Sequence, residues 1–474
     1  MTSSETRQKE SELQDLRDEI AKTTREIIKL TATRIELAKR IGQVKSRESL
    51  PIDNEKVEDA LLQEVLSESR RLGLDQRLAT KMLGMLLTES KKVQRMQGKS
   101  TPAAVITPMV MMAKAKEVEK TGRKLVRLDV GEPDFRPPKA ALNATSRALY
   151  SYKTYYTVGR GIPELLSALQ RYLAKRHNYS EAEENQLIVT PGGRFAVYSA
   201  LATVASEGDS VVVIEPNWPA YKEGLEFIGA RAITVHTTLD EEWQPSPERV
   251  KAAIKPNTKA VVLSYPANPT GKIMDKATFK EIVGIADDRG ITVISDEIYN
   301  DYAYKPCPSI LEGLPEKYIL TSSFSKAWSM TGFRIGYSLA PAETSAKMLK
   351  TLGLMITCVP EFIQLGAVKA LESEKEVGRN SKAMKERIDA VSEELDKIDS
   401  IEYLKPEGAI YVFPQAKDPG FDSSAFAMEL MEKKGVTLSP GTGFGDYPRC
   451  FRLSLGQPKE TLAAGVRKIG ELLS

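Results

Sequence analysis

The side chains that could do chemistry in this 474-residue chain are of few kinds. It has two histidines, His177 and His236, which are too few for a His-built metal site and disfavour a His-dependent hydrolase. The three cysteines are far apart and form no CxxC pair, so neither a disulfide framework nor a zinc knuckle is expected. Catalysis must therefore rest on Lys, Arg, Asp and Tyr side chains, with or without a cofactor.

Four polar clusters in the later part of the chain contain such residues. They follow or end short apolar runs typical of buried strands, such as SVVVIEP, KAVVLSYP and GITVISDE. The clusters are TPGGR at 190–194, YPANPTG at 265–271, SDEIY at 295–299 and SSFSKAWSMTGFRIG at 322–336. An open α/β sheet places its ligands at the carboxyl ends of its strands, so we expect these clusters to meet there. SDEIY alone would more often be the capped start of a helix than a cofactor site.

In this order the four clusters resemble the fold-type I aminotransferases of class I and II. The motifs GEPDF (131–135), YYTVGRGIPEL (155–165) and FRLSL (451–455) also fall in the family's order, and the resemblance extends from about residue 101 to the end. It implies an α/β fold with a mainly parallel sheet in a large domain, a small α/β domain, a homodimer, and pyridoxal 5'-phosphate as the cofactor.

Two positions matched to this family carry the central chemistry. The cofactor acts as an electron sink only while its pyridine nitrogen is protonated, and a neighbouring carboxylate favours that charge. Asp296 falls at this position. An amine must form the Schiff base with the cofactor and then move the proton at the substrate carbon. Lys326 falls at this second position.

The same resemblance assigns further roles. Arg452 would bind the substrate α-carboxylate in a bidentate manner that Lys cannot replace, although a lone arginine in FRLSL would more often be a surface residue. Gly131 would let that carboxylate approach the backbone, or it is a plain turn glycine. Tyr156 would reach the phosphate in the neighbouring subunit. The implied cofactor-binding residues are Gly193, Arg194, Ser323, Ser325 and Arg334 at the phosphate, Asn268 and Tyr299 at the O3′ oxygen, and Trp218 stacked on the ring.

The first hundred residues read as helices only. Apolar residues recur in heptads from Ser11 to Ser46, which predicts one long helix, and 54–72 and 76–97 read as two more. A helix of ~35 residues is about 50 Å long, which exceeds the span of a compact domain of this size. The apolar seam of the long helix therefore needs a partner chain.

Arg34 lies in that seam, where a buried arginine needs an anion. An ion pair with Glu36, or a side chain that reaches out at the seam edge, is the alternative. Lys45 follows eleven residues later, about 16 Å along the helix and only about 20° around it, so both cations can converge on one small anion. Arg17 lies about 25 Å from Arg34 and on another face, so it could join them only from a partner helix.

This spacing, with LRDEI, ATRIELAKRIGQVK and ESKKVQ, resembles the all-α (AroQ-type) chorismate mutase domain over about residues 5–97. That family is an intertwined three-helix dimer. It needs no nucleophile, because cations that hold the reactive conformer and meet charge on the ether oxygen suffice. The resemblance assigns Arg34, Ser90 and Arg17 of the partner subunit to the carboxylates, Lys45 and Gln94 to the ether oxygen, and Asn54 and Glu58 to the hydroxyl. The chain departs from the family at Asn54, where Asp is usual, and at Val57, where Arg is usual.

These assignments divide the chain. We expect a chorismate mutase-like helical domain at 1–97, a linker rich in Gly, Ser, Thr and Pro at 98–108, and an aminotransferase domain at 109–474. Within the last, the large cofactor domain is expected at about 150–360, and the small domain at 109–149 together with 361–474.

Composition narrows the range of partners. A formal net charge of +3 from 67 Lys and Arg against 64 Asp and Glu leaves no basic stripe for nucleic acid. No apolar run reaches the ~20 residues of a membrane span, and the N-terminus has no signal-peptide pattern. We expect a cytoplasmic protein with small-molecule substrates.

The fusion predicts a bifunctional enzyme of aromatic amino acid biosynthesis. It would convert chorismate to prephenate and transaminate prephenate to arogenate, or phenylpyruvate or 4-hydroxyphenylpyruvate, with glutamate or aspartate as the donor. One alternative is an aspartate or broad-specificity aminotransferase whose helical domain serves only dimerisation or ligand sensing. Another is a lyase that shares the cofactor site.

Overall fold

The computed structural model describes residues 3–48, 50, 52, 54–96 and 106–473. The chain divides into two compact units, residues 1–104 and 105–474. No helix in these described ranges is both long enough and apolar enough to cross a membrane.

The first unit consists of three helices in its described part, as the sequence predicts: α1 (Ser3–Arg47), α2 (Glu55–Arg71) and α3 (Gln76–Met96). α1 begins eight residues before its predicted start, because neither Pro nor Gly interrupts the polar residues ahead of the heptads. Most of the predicted linker, together with Gln97, lies outside the described residues.

The α1 and α3 backbones meet closely. On α1, Ala38 is 3% exposed and Gly42 is buried one turn later. A Cβ atom at Gly42 would lie 2.7 Å from the Cα atom of Gln94. The heptad side chains that form the apolar seam of α1 are between 48% and 70% exposed. These are Leu13, Leu16, Ile20, Ile27, Leu30, Leu37, Ile41 and Val44. The rest of the described chain therefore does not cover this seam.

The second unit alternates strands and helices. Its helices are α4 (Pro108–Lys120), α5 (Lys139–Tyr150), α6 (Pro163–His177), α7 (Gly193–Val204), α8 (Ala220–Ile228), α9 (Pro247–Ala253), α10 (Lys276–Asp288), α11 (Ala342–Met355), α12 (Glu361–Leu371), α13 (Glu374–Leu395), α14 (Ser423–Lys434) and α15 (Lys459–Leu473). Its strands are β1 (Val126–Arg127), β2 (Leu187–Thr190), β3 (Ser210–Glu215), β4 (Arg231–His236), β5 (Thr258–Ser264), β6 (Thr292–Asp296), β7 (Tyr318–Ser323), β8 (Gly336–Leu339), β9 (Ile401–Glu402), β10 (Tyr411–Val412), β11 (Gln415–Ala416), β12 (Val436–Thr437), β13 (Ser439–Pro440) and β14 (Phe451–Ser454).

A seven-stranded sheet in the order β2-β8-β7-β6-β5-β3-β4 forms the centre of this unit. β8 runs antiparallel to both neighbours, and the remaining pairs are parallel. Helices cover both faces, which is why β3 and β7 are buried along their whole length. The mainly parallel sheet of the predicted fold class is confirmed. The parallel strands β5, β6 and β7 end at one edge, and their last residues are Ser264, Asp296 and Ser323.

A second apolar core surrounds α13, α14 and α15, and includes Leu128, Ile388, Leu430 and Val466. The helices α5 and α12 pack in the sheet core instead, through Ala141 and Ala367, although the expected limits assign them to the small domain. The reason is that α12 packs against both α5 and α6, and α6 packs against β2 of the sheet.

Substituting Gly42→Ala tests the close approach of α1 and α3. We expect a loss of about 1–3 kcal/mol of unfolding free energy for the helical unit, because the new Cβ atom meets backbone that must shift. Gly378→Ala in α13 is the matched control, since a Cβ atom there has no neighbour within 4 Å and helix propensity gains about 1 kcal/mol. Urea unfolding followed by circular dichroism measures both, and equal effects would contradict the packing argument.

Candidate active sites

A cavity of about 330 Å³ opens at the carboxyl ends of the central strands. It is lined by most of the residues that the sequence assigns to the aminotransferase site: Gly131, Gly193, Arg194, Trp218, Asn268, Asp296, Tyr299, Ser325, Lys326, Arg334 and Arg452. Ser323 and Tyr156 are not among the lining residues. Strand topology thus brings together residues that lie more than 300 positions apart.

Asp296 is the last residue of β6 and is 5% exposed. Its Oδ2 accepts a hydrogen bond of 2.7 Å from the hydroxyl of Tyr221 on α8. Burial raises the pKa of Asp296 to about 6, and the Tyr221 bond offsets part of that rise. No cation of the described chain forms an ion pair with this carboxylate, so it is a buried acid that a positive ligand would stabilise.

Lys326 lies three residues after β7, in the loop that leads towards β8. Its Nζ donates a hydrogen bond of 2.5 Å to the carbonyl oxygen of Gly131 and lies 5.8 Å from the ring centroid of Tyr299. The amine therefore points into the cavity between the sheet edge and the GEPDF loop.

Arg452 on β14 is 4% exposed. Its guanidinium donates to Asn268 Oδ1 at 3.0 Å, to the carbonyl of Asp129 at 2.7 Å and to Ser439 Oγ at 3.3 Å. Its Nε is buried without a hydrogen-bond partner, and no carboxylate in the described ranges pairs with it. A buried cation in this state is stabilised by an anionic ligand.

Gly192, which precedes α7, leaves room for Arg334. A Cβ atom at Gly192 would lie 2.6 Å from Arg334 Nη2. The guanidinium, held by its 2.8 Å bond to the Thr331 carbonyl, therefore packs on the N-terminus of α7, where Gly193 is the first helical residue. Helix N-termini and guanidinium groups both bind phosphate.

Ser323 lies behind this cradle. It is 1% exposed, and its hydroxyl bonds the carbonyl of Ile335 at 3.1 Å while accepting the backbone N–H of Ser325 at 3.0 Å. In the structure Ser323 therefore orients Ser325, which lines the cavity, instead of facing the cavity itself.

Arg194 and Trp218 form the outer wall. The Arg194 guanidinium carbon lies 4.6 Å from the Trp218 ring centroid, and Nη1 is 3.8 Å from Glu223 Oε2. Half of the Arg194 side chain is exposed, so it can turn towards a ligand or towards Glu223. Tyr156, assigned to a neighbouring subunit's site, is 86% exposed.

Two tyrosines of this site were missed by the sequence reasoning. Tyr221 bonds Asp296, and Tyr411 on β10 shares a hydrogen bond of 2.6 Å with the hydroxyl of Tyr299. Tyr411 also lies under Arg452, whose guanidinium carbon is 4.3 Å from its ring centroid. Tyr221 stands in EPNWPAY beside Trp218 and could have been found from that motif, whereas nothing local distinguishes Tyr411 from a core aromatic residue.

The helical unit contains a second polar site. On α1, Arg34, Ala38, Gly42 and Lys45 follow one face, and the middle two are buried against α3. Arg34 Nε and Gln94 Oε1 are both buried without a hydrogen-bond partner among the described residues. Glu36, the alternative partner of Arg34, instead pairs with Lys39 at 3.0 Å. Two buried polar groups without partners, one on each of these packed helices, indicate a ligand site at this contact.

Four of the other predicted residues of the helical unit contact neighbouring groups of the chain, and the fifth, Arg17, lies farther along α1. Lys45 Nζ donates to the Ile52 carbonyl at 2.6 Å, and Glu58 forms an ion pair of 2.6 Å with Lys91. Ser90 is buried and donates to the Leu86 carbonyl at 2.7 Å. Asn54 accepts the Val57 N–H and caps α2, whereas Arg17 is exposed on the distant part of α1.

Comparisons with known proteins match the two parts of the chain to two different family models. The family model for aminotransferase class I and II matches residues 123–469, and the model for chorismate mutase type II matches residues 16–95. Aspartate aminotransferase from Pyrococcus horikoshii is 33% identical over 374 residues, which are 77% of this chain and 95% of that protein. A probable aspartate/prephenate aminotransferase from Aquifex aeolicus is 34% identical over 393 residues, 79% of this chain and 96% of that protein.

A solved structure of an aminotransferase also resembles the second unit. Aspartate aminotransferase from Thermus thermophilus with maleate superimposes with a TM-score of 0.73 at 32% identity, covering 77% of this chain and 96% of that one.

The raised pKa of Asp296 predicts a pH dependence of stability in the cofactor-free protein. A carboxyl whose folded pKa of about 6 exceeds its ordinary 3.8 stabilises the fold below pH 3.8 and loses that contribution as the pH rises through 6. Asp296→Asn keeps an acceptor for Tyr221 and removes the charge. Its unfolding free energy should therefore rise by about 1 kcal/mol relative to wild type between about pH 5 and about pH 7. Urea unfolding at the two pH values measures this, and a constant difference would refute it.

Proposed function

Because the chain belongs to the class I and II aminotransferases and carries a chorismate mutase type II domain, we propose that it is a bifunctional enzyme of aromatic amino acid biosynthesis. The mutase site would convert chorismate to prephenate, and the aminotransferase site would transaminate a keto acid of that route, with glutamate or aspartate as the amino donor. The observation that carries the proposal is the fusion itself, since one domain makes a keto acid of a class that the other can use. The name of the Aquifex aeolicus relative supports prephenate as an acceptor.

Pyridoxal 5'-phosphate is the cofactor of this family, and the residues of the second unit fit it. When bound, it supplies the electron sink that stabilises the substrate carbanion. Asp296 is the buried carboxylate that a pyridine N–H would stabilise, and Arg334 with the N-terminus of α7 would hold the phosphate. Asn268 accepts from Arg452 through Oδ1, which leaves its amide nitrogen to donate to the O3′ oxygen.

Lys326 would move the proton at the substrate α-carbon. Its amine already lies at the cavity floor on the Gly131 carbonyl, which keeps it within reach of the sheet edge. Gly131 must be a glycine for this arrangement, because a Cβ atom there would lie 2.2 Å from the Tyr411 hydroxyl.

Arg452 would bind the substrate carboxylate. Its Nε has no protein partner, and Asn268, Ser439 and the Asp129 carbonyl hold the guanidinium without neutralising it. A carboxylate would supply the missing charge and accept from Nε in the same plane. This orients the substrate α-carbon relative to Lys326.

Apolar residues of the cavity support a ring-bearing keto acid as the acceptor. Met109 and Met112 of α4 line the cavity together with Trp218 and Tyr411. Thioether and aromatic side chains contact apolar rings favourably. Arg194 supports the second candidate, an aspartate aminotransferase, because its exposed guanidinium could bind the second carboxylate of a dicarboxylic acid.

At the mutase site, Arg34 and Ser90 would bind the carboxylates of chorismate. Lys45 and Gln94 would bind its ether oxygen, and Glu58 its hydroxyl. Arg17 of the partner subunit would complete the site, since in its own chain Arg17 lies about 25 Å along α1 from Arg34. The exposed heptad side chains of α1 support a homodimer, because burying such a seam is the usual drive for helix association.

The choice of acceptor is tested with the full-length holoenzyme and glutamate as the donor, because aspartate with oxaloacetate gives no net reaction. We expect kcat/KM for prephenate, phenylpyruvate or 4-hydroxyphenylpyruvate to exceed that for oxaloacetate by at least about tenfold, since burying the ring contributes about 1.5–3 kcal/mol. A preference for oxaloacetate would favour the aspartate aminotransferase. Elimination without amino transfer would identify a lyase.

Lys326→Ala tests the central residue of the aminotransferase site. We expect loss of the visible absorbance of the covalently bound cofactor and a fall in transamination of at least about 10²-fold, because the proton-transferring amine is gone. Chorismate turnover by the same preparation is the internal control, since Arg34 and Gln94 lie in the other unit. Retained absorbance and transamination would disprove the assignment.

A further inference from the structure

The ion pair between Lys91 and Glu58 differs from other ion pairs of the helical unit. Lys91 Nζ lies 2.6 Å from Glu58 Oε1, and the two side chains are only 16% and 19% exposed. The pair joins α3 to α2. Other pairs in the described part of this unit join residues three apart on one helix and are at least 44% exposed: Lys29 with Glu26, Lys39 with Glu36, Arg71 with Glu68, and Lys92 with Glu89.

The position of Lys91 relates it to the proposed mutase site. It directly follows Ser90 and lies three residues before Gln94, so Lys91 and Gln94 are neighbours on the surface of α3. Gln94 in turn contacts α1 at Gly42. The residue before Glu58 is Val57, which is uncharged and 60% exposed. Lys91 on α3 thus supplies a cation to Glu58, which Val57 beside it in sequence does not.

We propose that Lys91 is a positioning residue of the mutase site, which holds the Glu58 carboxylate where it accepts a hydrogen bond from the hydroxyl of chorismate. This inference rests on the proposed mutase function. A carboxylate has two oxygens and about four acceptor positions, so the contact with Lys91 does not exhaust its capacity to accept. Without Lys91, this mostly buried carboxylate would lose its 2.6 Å ion pair, and its orientation would change because a buried charge is less favourable without its counter-ion.

Kinetics of the full-length protein with chorismate test the proposal. For Lys91→Met we expect KM to rise about tenfold with a smaller change in kcat, because the hydroxyl contact is made in both the ground state and the transition state. Lys91→Arg keeps the charge and should retain activity within about threefold. Lys92→Met is the matched control: Lys92 is 61% exposed, 3.8 Å from Glu89, and its loss should change KM less than twofold.

A double-mutant cycle with Glu58→Gln separates positioning from direct substrate contact. If Lys91 acts through Glu58, the double variant should have the same KM as Glu58→Gln alone, since the group that Lys91 holds is already altered. Multiplying effects would show that Lys91 contacts chorismate directly and would overturn the proposal. A fall in kcat at unchanged KM, with a lower melting temperature, would assign Lys91 to folding alone and also overturn it.

Chorismate turnover by the wild-type protein separates the role of Lys91 from the mutase function as a whole. If the wild type turns over chorismate and the Lys91→Met and Lys92→Met variants change that activity equally, the role of Lys91 is overturned and the mutase function is left intact. No turnover of chorismate by the wild type would overturn both.

Discussion

The larger unit is organised around two buried charges of opposite sign that do not neutralise each other. Asp296 and Arg452 are 5% and 4% exposed and line the same cavity, yet neither has an ion-pair partner in the described chain. Two such groups would attract strongly if they met in a medium of low dielectric constant. They are kept apart because Asp296 ends a strand of the central sheet, whereas Arg452 lies on β14 at the second core. A ligand that is cationic at one end and anionic at the other would complement both charges.

Neutral groups hold these charges without cancelling them. Tyr221 donates to Asp296, and Asn268 accepts from Arg452. A hydrogen bond to a charged group contributes about 1.5–3 kcal/mol and fixes direction, but it leaves the net charge in place for a ligand. If a charged side chain replaced Tyr221 or Asn268, it would neutralise Asp296 or Arg452 in place of a ligand. Tyr411, which is hydrogen-bonded to Tyr299, is a further neutral group beside these charges. It lies against both Arg452 and the position of Gly131.

Sequence reasoning located the residues whose positions follow from strand direction. Asp296 and Lys326 could be placed together because parallel strands end at one edge of the sheet. Tyr411 could not, since its bond to Tyr299 spans 112 residues and depends on how the second core packs on the sheet. The burial of Ser323 behind Ser325 depends on a single hydroxyl bond to the backbone, which no spacing encodes. The three helices of the first unit were predicted well because periodicity is a local property.

The two units differ in how much of each candidate site a single chain contains. In the larger unit, residues from both cores of the same chain line the cavity. In the helical unit, Arg34 Nε and Gln94 Oε1 lack partners, and the α1 seam is exposed along most of its length. A buried guanidinium nitrogen and an exposed apolar stripe are both unfavourable, and the homodimer proposed above would cover the stripe. For the mutase function proposed above, association of the helical units would therefore add a cation, Arg17 of the partner subunit, to those of Arg34 and Lys45.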